Sequence, residues 1–122
     1  MRTALIVDDT ALVRRIARKI LEGFGFSCRE AEDGTVALTR LKEEPADLVL
    51  LDWEMPNMNG MECLQAIRAD DSIAQPRIIM CTTHNSFERI AAAIQAGADE
   101  YVMKPFDAEI ISDKLRLTGF EV

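Results

Sequence analysis

Asp47-Leu48-Val49-Leu50-Leu51-Asp52-Trp53-Glu54-Met55-Pro56-Asn57-Met58-Asn59-Gly60 is the stretch on which the fold turns. Leu48 to Leu51 are apolar without a break, and turn formers follow Asp52. A short apolar run bounded by a turn suits a strand covered on both faces, as in a parallel sheet. A carboxylate at the carboxyl end of such a strand stands where open α/β sheets bind ligands. One strand-end acid is a weak signal, so its meaning depends on what the other strands bring to the same place.

Working outward, residues 3–7 read as a buried strand that Asp8-Asp9-Thr10 stops while supplying N-cap oxygens to a helix. In that helix Leu12, Ile16 and Ile20, with Val13, Ala17 and Leu21 beside them, fall at helical spacing, and Arg14, Arg15, Arg18 and Lys19 form a solvated face. Gly23 and Gly25 end it, and residues 26–31 alternate enough to suggest an edge strand. Asp33-Gly34 opens a helix over about 35–43, closed by Pro45. The strand at 47–51 follows, then a helix from about Gly60 to Arg68 with Met61, Leu64 and Ile67 inward.

Arg77 to Cys81 form the fourth strand, Thr82-Thr83-His84-Asn85 a loop, and a helix with Phe87, Ile90 and Ile94 on one face runs to Gly97. Glu100 to Met103 are the fifth strand, Lys104-Pro105-Phe106 a turn, and Asp107 caps a last helix reaching Leu117. Five strand–helix units predict an α/β fold: a doubly wound five-stranded parallel sheet with five helices on its two faces and right-handed crossovers. All strand-to-helix loops then lie along one sheet edge, which collects Asp8, Asp9, Asp52, Thr82 and Lys104.

The totals restrict the function. A chain of 122 residues is about one domain, so residues 1–122 are expected to form a single unit. Hydrophobic residues at 48% and charged residues at 29% are ordinary for a globular protein. The net charge of -7, from 14 basic and 21 acidic residues, disfavours nucleic acid and anionic membranes as ligands and favours cations. Cys28, Cys63 and Cys81 show no metal-binding spacing and read as reduced, buried hydrophobes. The run Met1 to Val7 is too short for a signal peptide, and nothing approaches the ~20 apolar residues of a membrane helix, so a cytoplasmic location without membrane insertion is expected.

Three carboxylates crowded at one edge repel one another, and a divalent cation relieves this most simply. Mg²⁺ fits the all-oxygen set, with Mn²⁺ as a substitute: Asp9 and Asp52 as direct ligands, Asp8 partly through water, and the Glu54 carbonyl as a further oxygen. Zinc fits poorly, since His84 and Cys81 are the only nitrogen or sulfur donors near these loops. A carboxylate beside such a cation can accept a phosphoryl group, with Lys104 contributing a positive charge and Thr82 a hydroxyl donor.

Asp8-Asp9 after the first strand, Asp52 after the third, Thr82 after the fourth and Lys104-Pro105 after the fifth resemble the pattern of the response-regulator receiver domain. The resemblance covers essentially the whole chain and is nearest to the single-domain, CheY-like members. It implies the flavodoxin-like strand order 2-1-3-4-5, and phosphorylation of Asp52 from a phosphohistidine on a sensor histidine kinase or a histidine phosphotransfer protein. It further implies Thr82 and Tyr101 as a switch pair, a cis peptide between Lys104 and Pro105, and a phosphorylation-dependent protein effector on the face of the fourth helix, fifth strand and fifth helix. Glu54 and His84 occupy variable positions of the pattern and are expected to tune the dephosphorylation rate. Only Thr118 to Val122 follow the last helix, so no output domain is expected.

Trp53, beside the site, should report metal or phosphoryl binding through its fluorescence. The alternatives are a phosphate sink within a relay and a small Mg²⁺-dependent phosphohydrolase with an aspartyl nucleophile, which the absence of room for a substrate pocket disfavours. A flavodoxin-like carrier fails at Asp8-Asp9, which would repel the cofactor phosphate.

Overall fold

The computed structural model describes residues 2–84 and 86–122, so Met1 and Asn85, read above as part of the N-terminal run and of a loop, lie outside the described residues. Five strands, β1 Thr3–Val7, β2 Ser27–Ala31, β3 Leu48–Asp52, β4 Arg77–Thr82 and β5 Glu100–Met103, pair in parallel in the order β2-β1-β3-β4-β5. The helices are α1 Ala11–Gly23, α2 Gly34–Glu43, α3 Gly60–Ala69, α4 Phe87–Gln95 and α5 Ala108–Leu117. The doubly wound sheet, its order and the edge position of β2 are as expected.

Alternate residues of the buried strands feed two cores. Leu5, Val7, Val49, Leu51, Ile78 and Met80 pack with Ala37 and Leu41 of α2 and Leu64 and Ile67 of α3. Ala4, Ile6, Leu48, Leu50 and Ile79 pack with Ala17 and Leu21 of α1 and Ile111 and Leu115 of α5. Complete burial of β3 explains its unbroken apolar run, because each face of the sheet demands a side chain at every second position.

Two strands end one residue later than the sequence suggests. The ladder continues through Trp53 N–H to the Cys81 carbonyl (2.9 Å) and Lys104 N–H to the Thr82 carbonyl (3.0 Å). Asp52 and Thr82 are therefore the last residues of their strands, on rigid backbone.

The structure corrects two helix faces. In α1 the buried residues are Ala17 and Leu21, with Val13, Ile20 and Phe24 half-buried, whereas Leu12 and Ile16 are 60% and 44% exposed. The inward stripe is 13-17-21, flanked by Ile20 and Phe24. In α4 only Ala93 is buried, while Phe87 is 81% and Ile94 44% exposed. The small side chain sits closest to the sheet, and the large ones stand at the rim.

The basic face of α1 is also not simply solvated. Arg14 Nε pairs with Glu30 at 3.0 Å, Arg18 pairs with Glu30 as well, and Arg14 Nη1 donates to the Asp8 carbonyl at 2.6 Å, tying α1 to β2 and to the end of β1.

Candidate functional site

Each strand end delivers its residue by register. Val7 pairs with Leu51 and Asp52 with Cys81, so Asp8 and Asp52 follow neighbouring strands out of the sheet; Thr82 pairs with Met103, which places Lys104 beside them. Carboxylate oxygens of Asp8, Asp9 and Asp52 lie within 4.8 Å of one another. Asp8 and Asp52 are buried, at 3% and 2% exposure, and Asp9 is exposed. Lys104 Nζ donates to Asp8 Oδ2 and to Asp52 Oδ1, both at 2.8 Å. The Lys104–Pro105 peptide is cis.

The loops are fixed by local hydrogen bonds. Asp8 Oδ1 accepts from Thr10 N–H at 2.8 Å, so this acid organises the start of α1, while Thr10 at the N-cap position makes no side-chain bond of its own. The loop after Asp52 closes on α3 through a reciprocal cap between Asn59 and Glu62. Gly60 lies so close that an added Cβ would stand 2.3 Å from the Asp52 carbonyl oxygen and 2.7 Å from Trp53 Cα.

Burial pushes the Asp52 carboxyl up to about 6, and the Asp8 charge adds to this while Lys104 opposes it. Burial by itself would lower Lys104, but its bonds to Asp52 and Asp8 outweigh that and hold it above its ordinary value. The site thus carries a charged lysine and an acid that is ionised at neutral pH. Three carboxylates face one ammonium, an excess of negative charge in an all-oxygen donor set that fits a hard divalent cation.

Glu54 turns its side chain away from this cluster. Its Oε1 accepts from Thr82 Oγ1 (3.1 Å), Thr83 N–H (3.2 Å) and Thr83 Oγ1 (2.9 Å). Burial alone would raise its carboxyl, but these bonds and the charge of Arg89 hold it below the usual value. Its backbone N–H donates to Asp52 Oδ1 at 3.3 Å. His84 places Nε2 3.8 Å from Glu54 Oε1, and its backbone N–H donates to Thr82 Oγ1 at 3.0 Å.

Trp53 is half-buried, with the Arg89 guanidinium over its ring at 4.1 Å. Tyr101 is half-buried on the fifth strand, with Lys114 Nζ 4.3 Å from its ring centre. Sequence reasoning missed Thr83, Arg89 and Gly60. The Asn59-x-x-Glu62 spacing announces the cap that brings Gly60 in, whereas nothing in the sequence marks Thr83 or Arg89.

A family model for the response regulator receiver domain matches residues 4–116. The chain is 42% identical over 112 residues to chemotaxis protein CheY-3 of Vibrio cholerae, covering 91% of this chain and 86% of that protein. It is 40% identical over 112 residues to chemotaxis protein CheY of Pseudomonas aeruginosa, covering 91% and 90%. Among solved structures, the chemotaxis response regulator CheY4 of Vibrio cholerae superposes with a TM-score of 0.89 at 30% identity, covering 97% of this chain and 98% of that one. A CheY-like receiver domain protein from Methanospirillum hungatei superposes with a TM-score of 0.83 at 30% identity, covering 95% and 91%. Strand order, strand-end residues and likeness along nearly the whole length agree: this chain belongs to the response regulator receiver domain family and is a CheY-like receiver domain of two-component signalling.

Proposed function

We propose that this chain is a phosphorylation-controlled switch that accepts a phosphoryl group on Asp52 from a phosphohistidine of a sensor histidine kinase or histidine phosphotransfer protein. The observation that carries this reading is Lys104 Nζ held 2.8 Å from both Asp8 and Asp52 at a strand-end cluster of three carboxylates.

An Asp52 carboxylate oxygen attacks phosphorus, the P–O bond forms as the P–N bond breaks, and the imidazole nitrogen leaves with the electron pair and takes a proton from solvent. No base is required, because Asp52 is ionised above about pH 6. Lys104 stays charged next to the phosphoryl oxygens, and the Thr82 hydroxyl is the donor for one of them. Mg²⁺, or Mn²⁺ in its place, would be held by Asp8, Asp9, Asp52 and the Glu54 carbonyl, and when bound it supplies positive charge to the transferring group. Tyr101 and the face formed by α4, β5 and α5 are the proposed docking surface for the effector, which binds according to the state of Asp52.

Incubation with acetyl phosphate and Mg²⁺ should add one phosphoryl group, detected by intact mass, and Asp52→Asn or a chelator should prevent it. Full-rate phosphorylation of the variant would overturn the assignment. Equal effector capture by phosphorylated and unmodified protein would overturn the switching role.

A further inference from the structure

Glu54 accepts three hydrogen bonds on one carboxylate oxygen and none on the other. Oε1 takes the Thr82 hydroxyl, the Thr83 hydroxyl and the Thr83 amide, while Oε2 is buried with no partner among the described residues. The Thr82 hydroxyl is held from both sides, since its oxygen accepts from His84 N–H as it donates to Glu54. Across the same loops, Arg89 Nε is also buried without an acceptor among the described residues, its guanidinium resting on Trp53. Glu54 and Arg89 are each half-buried with one buried polar atom left unpartnered, an arrangement that improves when one of them moves.

We propose that the Glu54 carboxylate is an internal acceptor that occupies the Thr82 and Thr83 donors in the unphosphorylated protein, so that a phosphoryl group on Asp52 must displace it. The proposal rests on the phosphorylation reading of Asp52. The donors that Glu54 Oε1 uses stand at the end of β4, the strand paired with β3, beside the acid that would carry the phosphoryl group. A phosphoryl group brings strong acceptor oxygens and about two negative charges, so it outcompetes a carboxylate for those donors and repels it. The released Glu54 carboxylate then pairs with Arg89, on the first turn of α4. The switch threshold is set by how tightly Glu54 holds Thr82 and Thr83.

The test uses beryllium fluoride with Mg²⁺ as a phosphoryl stand-in, bound ligand being counted by fluorine NMR. Glu54→Ala should bind it roughly 10-fold more tightly than wild type, a shift equivalent to about 1.4 kcal/mol. Glu54→Gln, which retains an acceptor oxygen without the charge, should fall between the two. Thr83→Val, at an exposed position, removes one of the three hydrogen bonds to Oε1 and should tighten binding less than Glu54→Ala. Unchanged or weaker binding by Glu54→Ala overturns the proposal, and so does a Glu54→Gln affinity equal to that of Glu54→Ala, which would reduce the effect to charge repulsion. Arg89→Met should weaken binding in the wild-type background and have no effect beside Glu54→Ala; equal losses in both backgrounds would overturn the transfer to Arg89. If wild type neither binds beryllium fluoride nor becomes phosphorylated, the reading of Asp52 itself fails; if wild type binds and Glu54→Ala matches it, only the role of Glu54 fails.

Discussion

Replacing Asp52 with Asn should stabilise the metal-free protein while removing its proposed function. Asp52 is 2% exposed and its carboxyl is pushed from an ordinary 3.8 up to about 6, chiefly by burial. That gap corresponds to about 3 kcal/mol at ~1.36 kcal/mol per tenfold. The raised value means that the folded protein holds the proton more tightly than the unfolded chain, so ionised Asp52 costs stability above about pH 6. Between about pH 6 and 3.8 the cost fades as the folded form takes up its proton. Asn is close in shape to the protonated acid and can still accept from Lys104, which keeps Asp8 as its other partner.

Urea unfolding of both proteins in chelator should therefore show the variant more stable by about 2 to 3 kcal/mol at pH 7.5, shrinking toward zero near pH 4. Added Mg²⁺ should close the gap, since a ligand at 100 times its Kd contributes about 2.7 kcal/mol to the form that binds it. A variant less stable than wild type in chelator at pH 7.5, or a difference that does not change with pH, would refute the account of a site strained by its own charges.

The remaining predictions address the frame and the lysine. Leu21→Ala should cost about 2 to 5 kcal/mol, whereas Leu12→Gln should stay within about 0.5 kcal/mol, because only the former is buried; denaturant unfolding of the pair tests the corrected face of α1. Gly60→Ala drives a methyl group into the Asp52 carbonyl and Trp53 Cα, backbone atoms that cannot rotate away, so a loss of about 3 kcal/mol is expected in thermal unfolding, with slower phosphorylation by acetyl phosphate. Lys104→Met should slow that phosphorylation roughly 100-fold at saturating Mg²⁺, since the ammonium is the charge-neutralising side chain that touches Asp52.

Legibility followed periodicity and strand ends. The unbroken apolar run of Leu48 to Leu51 could be read because a doubly covered strand must be apolar at every position, and the acid after it could be placed because parallel strands all point the same way. The same logic located Asp8, Thr82 and Lys104 without coordinates. It failed where a helix offers more apolar positions than the sheet can cover. In α1 the stripes 12-16-20 and 13-17-21 differ by a rotation of about one residue, ~100°, and the sheet covers the second. In α4 the larger side chains pointed to the wrong face, because close approach to the sheet selects the small Ala93.

Glu54 shows a different limit. Its position, two residues after Asp52, is compatible with a side chain in the acidic cluster or with one turned toward β4, and charge alone would favour neither the repulsion of a fourth carboxylate nor the burial of an isolated one. The decision is made by three donors gathered at Thr82 and Thr83, two of them hydroxyl groups and one a backbone amide freed where the β4 ladder ends. Such a donor set exists only once the strand end is built, so no local pattern could announce it. By taking that orientation, Glu54 links the loop after Asp52 to the end of β4, just ahead of α4, a helix in which only Ala93 is buried. A helix with so little buried anchorage can be repositioned by a change of partner at the strand end that precedes it, which is the property the proposed phosphorylation switch requires.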